Sequence, residues 1–406
     1  MKKIIAIIVC FVIISMPAYA AADLNKESDM KTLFVKNGIL TDGENEVILN
    51  GVNLGGWLIM ESWMGIFSVN GEPAYLEIIA TLNKRFGEDK AKKIIKAYED
   101  NYITEYDFDN IKALGFNCIR VPFWYRNFMN EDGTWLTESL DKNPGFKRLD
   151  WVVEKCSERN IYVILDMHGC PGGQSMNHSC GVRGKNSLYN NEGNLSAMEK
   201  LWKAIARRYK DEPCVAAYDI MNEPQNNGGY KGENAWEAES PEAVAHTNSV
   251  YDRMIKAIRK IDKTHIISLE GVWSINTLPN PKRFGYTNMM YQLHLYDDAE
   301  AMLEYRIDEL LTAQSEWGTA VLVGEYNNKA IQKYATDRYK ESGIGYIKWT
   351  YKTVGVGYDN WGLYNKNMNK ADIEKASYDE IMNICNNELH TGNGYEFNTE
   401  EFDRIK

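Results

Sequence analysis

The stretch CVAAYDIMNEPQ, residues 214–225, begins like a buried strand and ends in polar residues. Apart from one aspartate, its first eight residues are apolar, small or aromatic. Continuous rather than alternating apolarity is typical of a strand that is covered on both faces, as in a parallel sheet. The run stops at Asn222, Glu223 and Pro224, which predicts a functional role for the Glu223 carboxylate at the end of the strand. The alternative is that Pro224 merely starts a helix, with Glu223 beside its N-cap.

Seven further runs share this apolar character, at 46–54, 116–123, 161–168, 265–271, 290–296, 319–326 and 343–350. Helical patterns lie between most of them, at 103–115, 149–160, 194–213, 240–262, 303–318 and 375–389. The interval 272–287 is more typical of a loop. Eight strands with helical crossovers predict an α/β fold, specifically a (β/α)8 TIM barrel.

Two other segments bear on this fold. The piece LFVKNGILTDGENEVILNG, residues 33–51, has a turn signal between two short strands, which predicts a β-hairpin that closes the bottom of the barrel. A doubly wound open sheet is the alternative fold, and it would need a glycine-rich phosphate loop after its first strand. The stretch GVNLGGW, residues 51–57, does not fit the GxGxxG pattern of such a loop.

Composition and the first residues restrict the partners and the compartment. The chain has 406 residues and a formal net charge of −11, which disfavours nucleic acid and acidic polymers but leaves neutral ligands open. Lys2 and Lys3 precede a short apolar run and an Ala-Tyr-Ala site at 18–20. This pattern predicts a signal peptide over 1–22 rather than a membrane anchor. We therefore expect one domain over 23–406, secreted or periplasmic, monomeric and not inserted in a membrane.

Six cysteines remain beyond the predicted signal peptide, and none has a CxxC or Cys/His metal spacing. Cys118 and Cys214 lie in strand-like runs, where we expect buried free thiols. Cys170 and Cys180 bracket the short loop CPGGQSMNHSC. A local disulfide and two unpaired thiols are both open there.

The strand ends carry the residues from which a site can be built, because active sites of such barrels lie at the C-terminal ends of the strands. In strand order these residues are Asn53, Trp57 and Glu61, then Arg120, His168, Asn222 and Glu223, His294 and Tyr296, Glu325, and Trp349. The fifth run contributes no candidate. Two glutamates from separate strands are the arrangement that glycoside hydrolysis needs, one as a proton donor and one as nucleophile or base.

Five motifs make the resemblance to a known family specific: IRVPF (119–123), LDMHGCPGGQ (165–174), MNEP (221–224), HLY (294–296) and GEY (324–326). From about Leu33 to Cys385 the chain resembles glycoside hydrolase family 5, a family of retaining (β/α)8 glycosidases. GVNLGGWL together with HGCPGGQ further resembles its exo-β-1,3-glucanase branch. The resemblance implies a secreted β-glycosidase that cleaves β-1,3- or β-1,4-glucosidic bonds of a neutral β-glucan, polymer or oligosaccharide. It implies no cofactor and no metal.

The resemblance also implies roles for the catalytic pair and its neighbours. Glu223 matches the general acid/base and Glu325 the nucleophile. Arg120 would keep Glu325 ionised, Tyr296 would hydrogen-bond it, and His294 would hold the acid/base. We expect burial and the charge of Glu325 to raise the pKa of Glu223, and Arg120 to make the pKa of Glu325 the lower of the two.

The remaining candidates match residues that bind the sugar. Asn222 and His168 would line the −1 subsite, Trp349 would be the platform under the sugar, and Glu61 would bind the terminal sugar's hydroxyls. The chain departs from the exo-glucanase pattern at one place, since His178 stands where an aspartate would bind the terminal sugar. That departure leaves exo action and strict glucose specificity open.

Structural explanations compete with these roles. Arg120 could belong to an ion pair inside the barrel, and His168 and His294 could be core histidines. A β-mannanase or a glycolipid-directed β-glucosidase would share the catalytic pair, whereas a non-catalytic carbohydrate-binding barrel would lack one of the carboxylates. A metal-assisted hydrolase would need His/Asp ligand clusters, and the sequence spacing reveals none.

Overall fold

The computed structural model describes residues 30–69, 71, 73–226, 240–271, 273–355 and 361–406. Eight strands form a closed barrel, and each pairs in parallel with its neighbours in chain order. They are β1 (Asn50–Asn53), β2 (Cys118–Trp124), β3 (Tyr162–Gly169), β4 (Val215–Asp219), β5 (Ile266–Glu270), β6 (Met289–Leu295), β7 (Ala320–Tyr326) and β8 (Gly345–Lys348). Each predicted run overlaps one of them, so the (β/α)8 TIM barrel is confirmed.

Helices surround this barrel. Among the described residues they are α1 (Tyr75–Phe86), α2 (Glu88–Tyr102), α3 (Glu105–Ala113), α4 (Pro144–Ser157), α5 (Glu192–Tyr209), α6 (Pro241–Arg259), α7 (Pro281–Phe284), α8 (Glu300–Trp317), α9 (Gln332–Glu341), α10 (Tyr378–Asn387) and α11 (Thr399–Ile405). The six helical patterns of the sequence are confirmed, and 273–287 is loop apart from one 3₁₀ turn and α7. The prediction missed α1, α2, α9 and α11. In α2, the buried Ala91, Ile94 and Tyr98 recur at helical spacing within a highly charged segment.

The N-terminal end of the barrel is closed as predicted. Strands Phe34–Lys36 and Ile39–Thr41 form an antiparallel hairpin. Leu33 and Leu40 pack in one cluster with the buried residues of several barrel strands, among them Cys118 and Ile164. The bottom of the barrel is therefore filled by apolar side chains, which leaves the C-terminal end for polar residues.

All six cysteines beyond the N-terminal segment are buried free thiols, including Cys170 and Cys180. Of the two alternatives for Cys170 and Cys180, a disulfide or two free thiols, the structure has the free thiols. The predicted signal peptide, 1–22, lies outside the described residues. In the part of the chain that is described, no helix combines the length and the apolarity that crossing a membrane requires.

The C-terminal segment packs against the barrel. Strand Glu396–Phe397 pairs with Tyr364–Lys366, and α11 follows it. Within α11 the buried Glu401 forms an ion pair of 2.8 Å with Lys348 of β8. The tail is therefore an ordered part of the fold that packs against the barrel.

Candidate active site

The polar strand ends meet in one cavity of about 310 Å³ at the C-terminal end of the barrel. Its lining residues are Glu61, Trp63, His168, Ser179, Glu223, Tyr296, Glu325, Trp349 and Trp361. Six of the nine residues to which the family resemblance assigns a role are among them. The other three, Arg120, Asn222 and His294, lie against these lining residues and are bonded to them or to one another. The sequence-based selection therefore converges on one place in the structure.

Glu325, at the end of β7, has both carboxylate oxygens engaged. Its Oε1 accepts a hydrogen bond of 2.7 Å from Arg120 Nη1, and its Oε2 accepts one of 2.6 Å from Tyr296 Oη. Burial raises the pKa of Glu325, and the positive charge of Arg120 opposes that rise. These contacts favour an ionised carboxylate with a fixed direction. That Glu325 ionises before Glu223 stays a prediction.

Arg120 is fully buried and binds more than Glu325. Its Nε lies 2.9 Å from Asp219 Oδ2, and its Nη2 lies 3.1 Å from Asp166 Oδ2. Asn222 Oδ1 accepts a further bond of 2.9 Å from Nη2. Arg120 is therefore both an internal ion-pair residue and a partner of Glu325. Sequence reasoning missed the two aspartates, although a charged residue within an apolar strand run is itself a signal of an inward-facing polar contact.

Glu223 has an unusual backbone. Its φ is +40°, in the left-handed region that residues other than glycine seldom adopt, and residues 221–226 contain no helix. The helix-start explanation of Glu223 and Pro224 is therefore wrong. The Glu223 backbone N–H donates a hydrogen bond of 2.7 Å to Glu270 Oε2, and its Oε1 lies 3.0 Å from His294 Nδ1.

The environment of Glu223 favours a protonated carboxyl. Its side chain is 31% exposed, and that exposure is to the cavity. Burial raises the pKa of Glu223, and the negative charge of Glu61 raises this pKa further. The charge of His168 acts in the opposite direction and lowers it. The predicted direction is thus correct. The carboxylate that contributes most to this rise is Glu61, however, whereas the sequence analysis had named Glu325.

Glu270 is a site residue that the sequence analysis missed. It ends β5, the run for which no candidate was named, and its side chain is 1% exposed. Burial and the neighbouring Glu223 raise the pKa of Glu270 well above its usual range. The signal was available, because Glu270 occupies the C-terminal end of its strand in the same way as the chosen residues do.

His294 limits the distance between the carboxylates of Glu223 and Glu325. Its Nδ1 lies 3.0 Å from Glu223 Oε1 and 3.4 Å from Glu325 Oε2. These two oxygens are therefore separated by no more than the sum of those distances, which favours the short carboxyl separation of retaining glycosidases over the ~6.5–9.5 Å of inverting ones. Burial lowers the pKa of His294 to about 3, so its ring is neutral.

Aromatic and polar side chains form the wall of the cavity. Trp63 Nε1 donates a hydrogen bond of 3.1 Å to Glu61 Oε2, and His178 Nε2 lies 3.4 Å from the same oxygen. The rings of Trp63 and Trp361 are 5.1 Å apart, centroid to centroid. His178 therefore joins Glu61 at the place where the sequence analysis had noted a departure.

Trp349 and His168 face the cavity together. Their rings are stacked at 5.6 Å with an interplanar angle of 9°, and His168 Nδ1 lies 2.8 Å from Asp166 Oδ2. The peptide bond between Trp349 and Thr350 is cis. Trp57 is instead a buried core residue that packs edge-on against Trp151.

One group of residues has the spacing that a metal ion needs. Ligand atoms of Glu223, Glu270 and His294 lie within 4.8 Å of one another. Sequence spacing could not reveal the group because its members come from the C-terminal ends of three different strands. Hydrogen bonds already link the three residues to one another, so the group is accounted for without an ion.

Comparison with known proteins places this geometry in context. The sequence profile described as Cellulase (glycosyl hydrolase family 5) matches residues 83–367. The chain is 32% identical over 261 residues to a β-xylosidase of Phanerodontia chrysosporium, covering 62% of this chain and 49% of that protein. It is 30% identical over 223 residues to a probable glucan 1,3-beta-glucosidase A of Neosartorya fischeri, covering 53% of this chain and 48% of that protein. The chain thus spans about half the length of these two relatives.

A solved structure shares the fold at lower identity. The rutinosidase from Aspergillus niger superimposes with a TM-score of 0.62 at 17% identity, covering 83% of this chain and 96% of that one.

Proposed function

This chain belongs to glycosyl hydrolase family 5, and from that premise we propose that it is a retaining β-glycosidase that uses Glu223 and Glu325 in a double displacement. The observation that carries the proposal is that both carboxylates reach one nitrogen, His294 Nδ1. The closeness of the two carboxylates supports direct attack by one of them on the sugar, without an intervening water.

The contacts of each glutamate fit one half of this mechanism. In the first step, Glu325 would attack the anomeric carbon while Glu223 gives its proton to the leaving oxygen. In the second step, Glu223 would take a proton from water, whose oxygen displaces Glu325 from the sugar. Arg120 and Tyr296 hold Glu325 in place, and Glu61 helps keep Glu223 protonated in the free enzyme.

The proposed substrate is a neutral β-glucan or oligosaccharide with β-1,3- or β-1,4-linked glucose. Hydrophobic faces of a pyranose suit the aromatic walls formed by Trp63, Trp361 and Trp349. The relatives are named as a β-xylosidase and a glucan 1,3-beta-glucosidase, which supports the β-glycosidic linkage and leaves xylosides to be tested beside glucosides. Secretion and a monomeric state belong to the same proposal.

A product profile tests this function. The purified protein would be incubated with laminarin, lichenan, carboxymethylcellulose, glucomannan and aryl β-glucosides and β-xylosides, with Glu223→Gln and Glu325→Gln in parallel. Glucose alone from laminarin, lost in both variants, supports end-directed action. Longer oligosaccharides from another glucan keep the mechanism and assign an open cleft. Hydrolysis of glucomannan alone identifies a β-mannanase. Binding without hydrolysis of any substrate contradicts the proposal and supports a carbohydrate-binding barrel.

Replacing Glu61 by glutamine is expected to move the alkaline limb of kcat/KM to lower pH. The negative charge of Glu61 raises the pKa of Glu223, so removing that charge lets Glu223 lose its catalytic proton at lower pH. Lost hydrogen bonds to the sugar would also raise KM roughly tenfold or more. The measurement is the pH profile of kcat/KM on an aryl β-glycoside.

The matched control for this profile is Glu199→Gln. Glu199 is an acidic residue of α5 that pairs with Arg253 at 2.8 Å and does not line the cavity. Its replacement should leave both the limb and KM unchanged. An unshifted limb in the Glu61 variant would show that Glu61 has no influence on the proton donor.

A further inference from the structure

The contacts of Glu270 point towards the proton donor. Its Oε2 accepts the backbone N–H of Glu223 at 2.7 Å, and its Oε1 lies 3.3 Å from His294 Nδ1, the atom that also contacts the Glu223 carboxyl. Tyr251 contacts the main chain of Glu270 and not its carboxyl, because the Tyr251 hydroxyl donates a hydrogen bond of 2.9 Å to the Glu270 carbonyl oxygen. The carboxyl of Glu270 is thus directed at both the main chain and the side chain of one residue.

The backbone of Glu223 needs such a support. Its φ of +40° is a backbone conformation that is unfavourable for residues other than glycine. The residue also follows the end of β4 without entering a helix. The Glu223 amide is therefore held neither by a hydrogen bond between paired strands nor by one within a helix. The acceptor that fixes it is the carboxyl of Glu270.

A buried carboxyl is costly where packing alone is required. An apolar side chain of similar volume would fill the end of β5 without the desolvation of a carboxyl group. Glu270 does not line the cavity, so contact with substrate does not explain it either. What remains is its pair of contacts to Glu223 and His294.

We propose that Glu270 is a positioning residue for the proton donor: it anchors the main chain of Glu223 and, with His294, aims the Glu223 carboxyl at the leaving oxygen. This inference rests on the proposed function. Burial raises the pKa of Glu270 well above its usual range, which favours the neutral acid. Glutamine, whose amide oxygen also accepts an N–H, is therefore a close substitute, whereas leucine removes the acceptor.

Leaving-group dependence separates positioning of the acid from a general structural role. A 2,4-dinitrophenolate leaves without protonation, whereas a phenolate needs the proton of Glu223. Glu270→Leu is expected to lower kcat/KM on the phenyl β-glycoside by about 100-fold and on the 2,4-dinitrophenyl β-glycoside by less than about threefold. Glu270→Gln is expected to stay within about threefold of wild type on both. The glycoside is the glucoside or the xyloside, whichever the wild type hydrolyses.

Asp262→Asn is the matched control. Asp262 is a buried acid that precedes β5 at the opposite end of the same strand and accepts the backbone N–H groups of Thr264 and His265. Its replacement can lower stability but has no route to the leaving group, so any loss should be equal for the two substrates.

Equal losses on both glycosides in Glu270→Leu, or no loss on either, overturn the inference. If Glu270→Leu does not fold, Glu270→Asp takes its place. Aspartate keeps the carboxyl group, but its side chain is one methylene shorter, so the acceptor oxygen lies farther from the Glu223 N–H. This variant should lower kcat/KM on the phenyl glycoside by roughly tenfold and leave the dinitrophenyl glycoside little affected. Failure of the proposed function looks different, because the wild type itself would then cleave neither glycoside.

Discussion

Glu325→Gln is expected to lower kcat/KM by about 10⁴-fold or more on every substrate, whatever its leaving group. The amide cannot form the glycosyl ester, and the proposed first step has no other nucleophile at that face of the sugar. Glu223→Gln is expected to lower kcat/KM by about 10²–10⁴-fold for a phenyl glycoside and far less for a 2,4-dinitrophenyl glycoside. Initial rates of the two variants on the two glycosides measure this contrast.

Azide provides the control that assigns each residue to a face of the sugar. In Glu325→Gly, azide can enter the vacated space and attack the anomeric carbon, which should give an α-glycosyl azide. In Glu223→Gly, azide should attack the glycosyl ester from the other side and give a β-glycosyl azide. Rescue with the opposite configurations would exchange the two assignments, and equal activity of Glu325→Gln and wild type would remove Glu325 from the mechanism.

Arg120→Met is expected to have the largest effect on stability. It leaves Asp166, Asp219 and Glu325 buried without their cation, and breaking such an arrangement costs about 3–5 kcal/mol. The loss should be greatest near neutral pH. Burial already raises the pKa values of Asp219 and Glu325, and the loss of Arg120 raises both further, so the variant regains stability as pH falls and these two carboxyls become protonated. Urea unfolding at pH 5 and pH 7.5 measures the difference.

The same variant should also change catalysis. Arg120 lowers the pKa of Glu325, so its removal moves the acid limb of kcat/KM to higher pH and reduces activity by at least about 100-fold. Arg208→Met is the control, because Arg208 makes partly exposed ion pairs with Asp141 and Asp150. It should cost less than about 1 kcal/mol and leave the profile unchanged. Similar losses in both variants would mean that the buried network has no special role.

The barrel and much of the site could be predicted because their signals are local. A parallel strand buried on both faces shows as a continuous apolar run, and the residue that ends such a run lies at the mouth of the barrel. This logic found Glu223, Glu325, His294 and Tyr296. Applied consistently, it would have found Glu270 too, since this glutamate lies at the C-terminal end of the fifth run and is the last residue of β5.

Other features depend on contacts that no local pattern encodes. Asp166 and Asp219 were passed over because their strands read as core, and their partner Arg120 comes from a third strand. The contact between His178 and Glu61 depends on how the loops after β3 and β1 fold against each other. The positive φ of Glu223, whose amide donates a hydrogen bond to Glu270 on the neighbouring strand, is likewise encoded by no local pattern.

The central claim is that Glu325 forms a covalent bond with the sugar. A 2,4-dinitrophenyl 2-deoxy-2-fluoro-β-glycoside tests it directly, because the fluorine slows both steps while the good leaving group still allows the first one. Digestion and mass spectrometry then locate the labelled residue. The account predicts one fluoroglycosyl group per chain, on the peptide that contains Glu325, and a β-configured product from the normal substrate. A label on Glu223 or Glu270, or an α-configured product without any label, would contradict it.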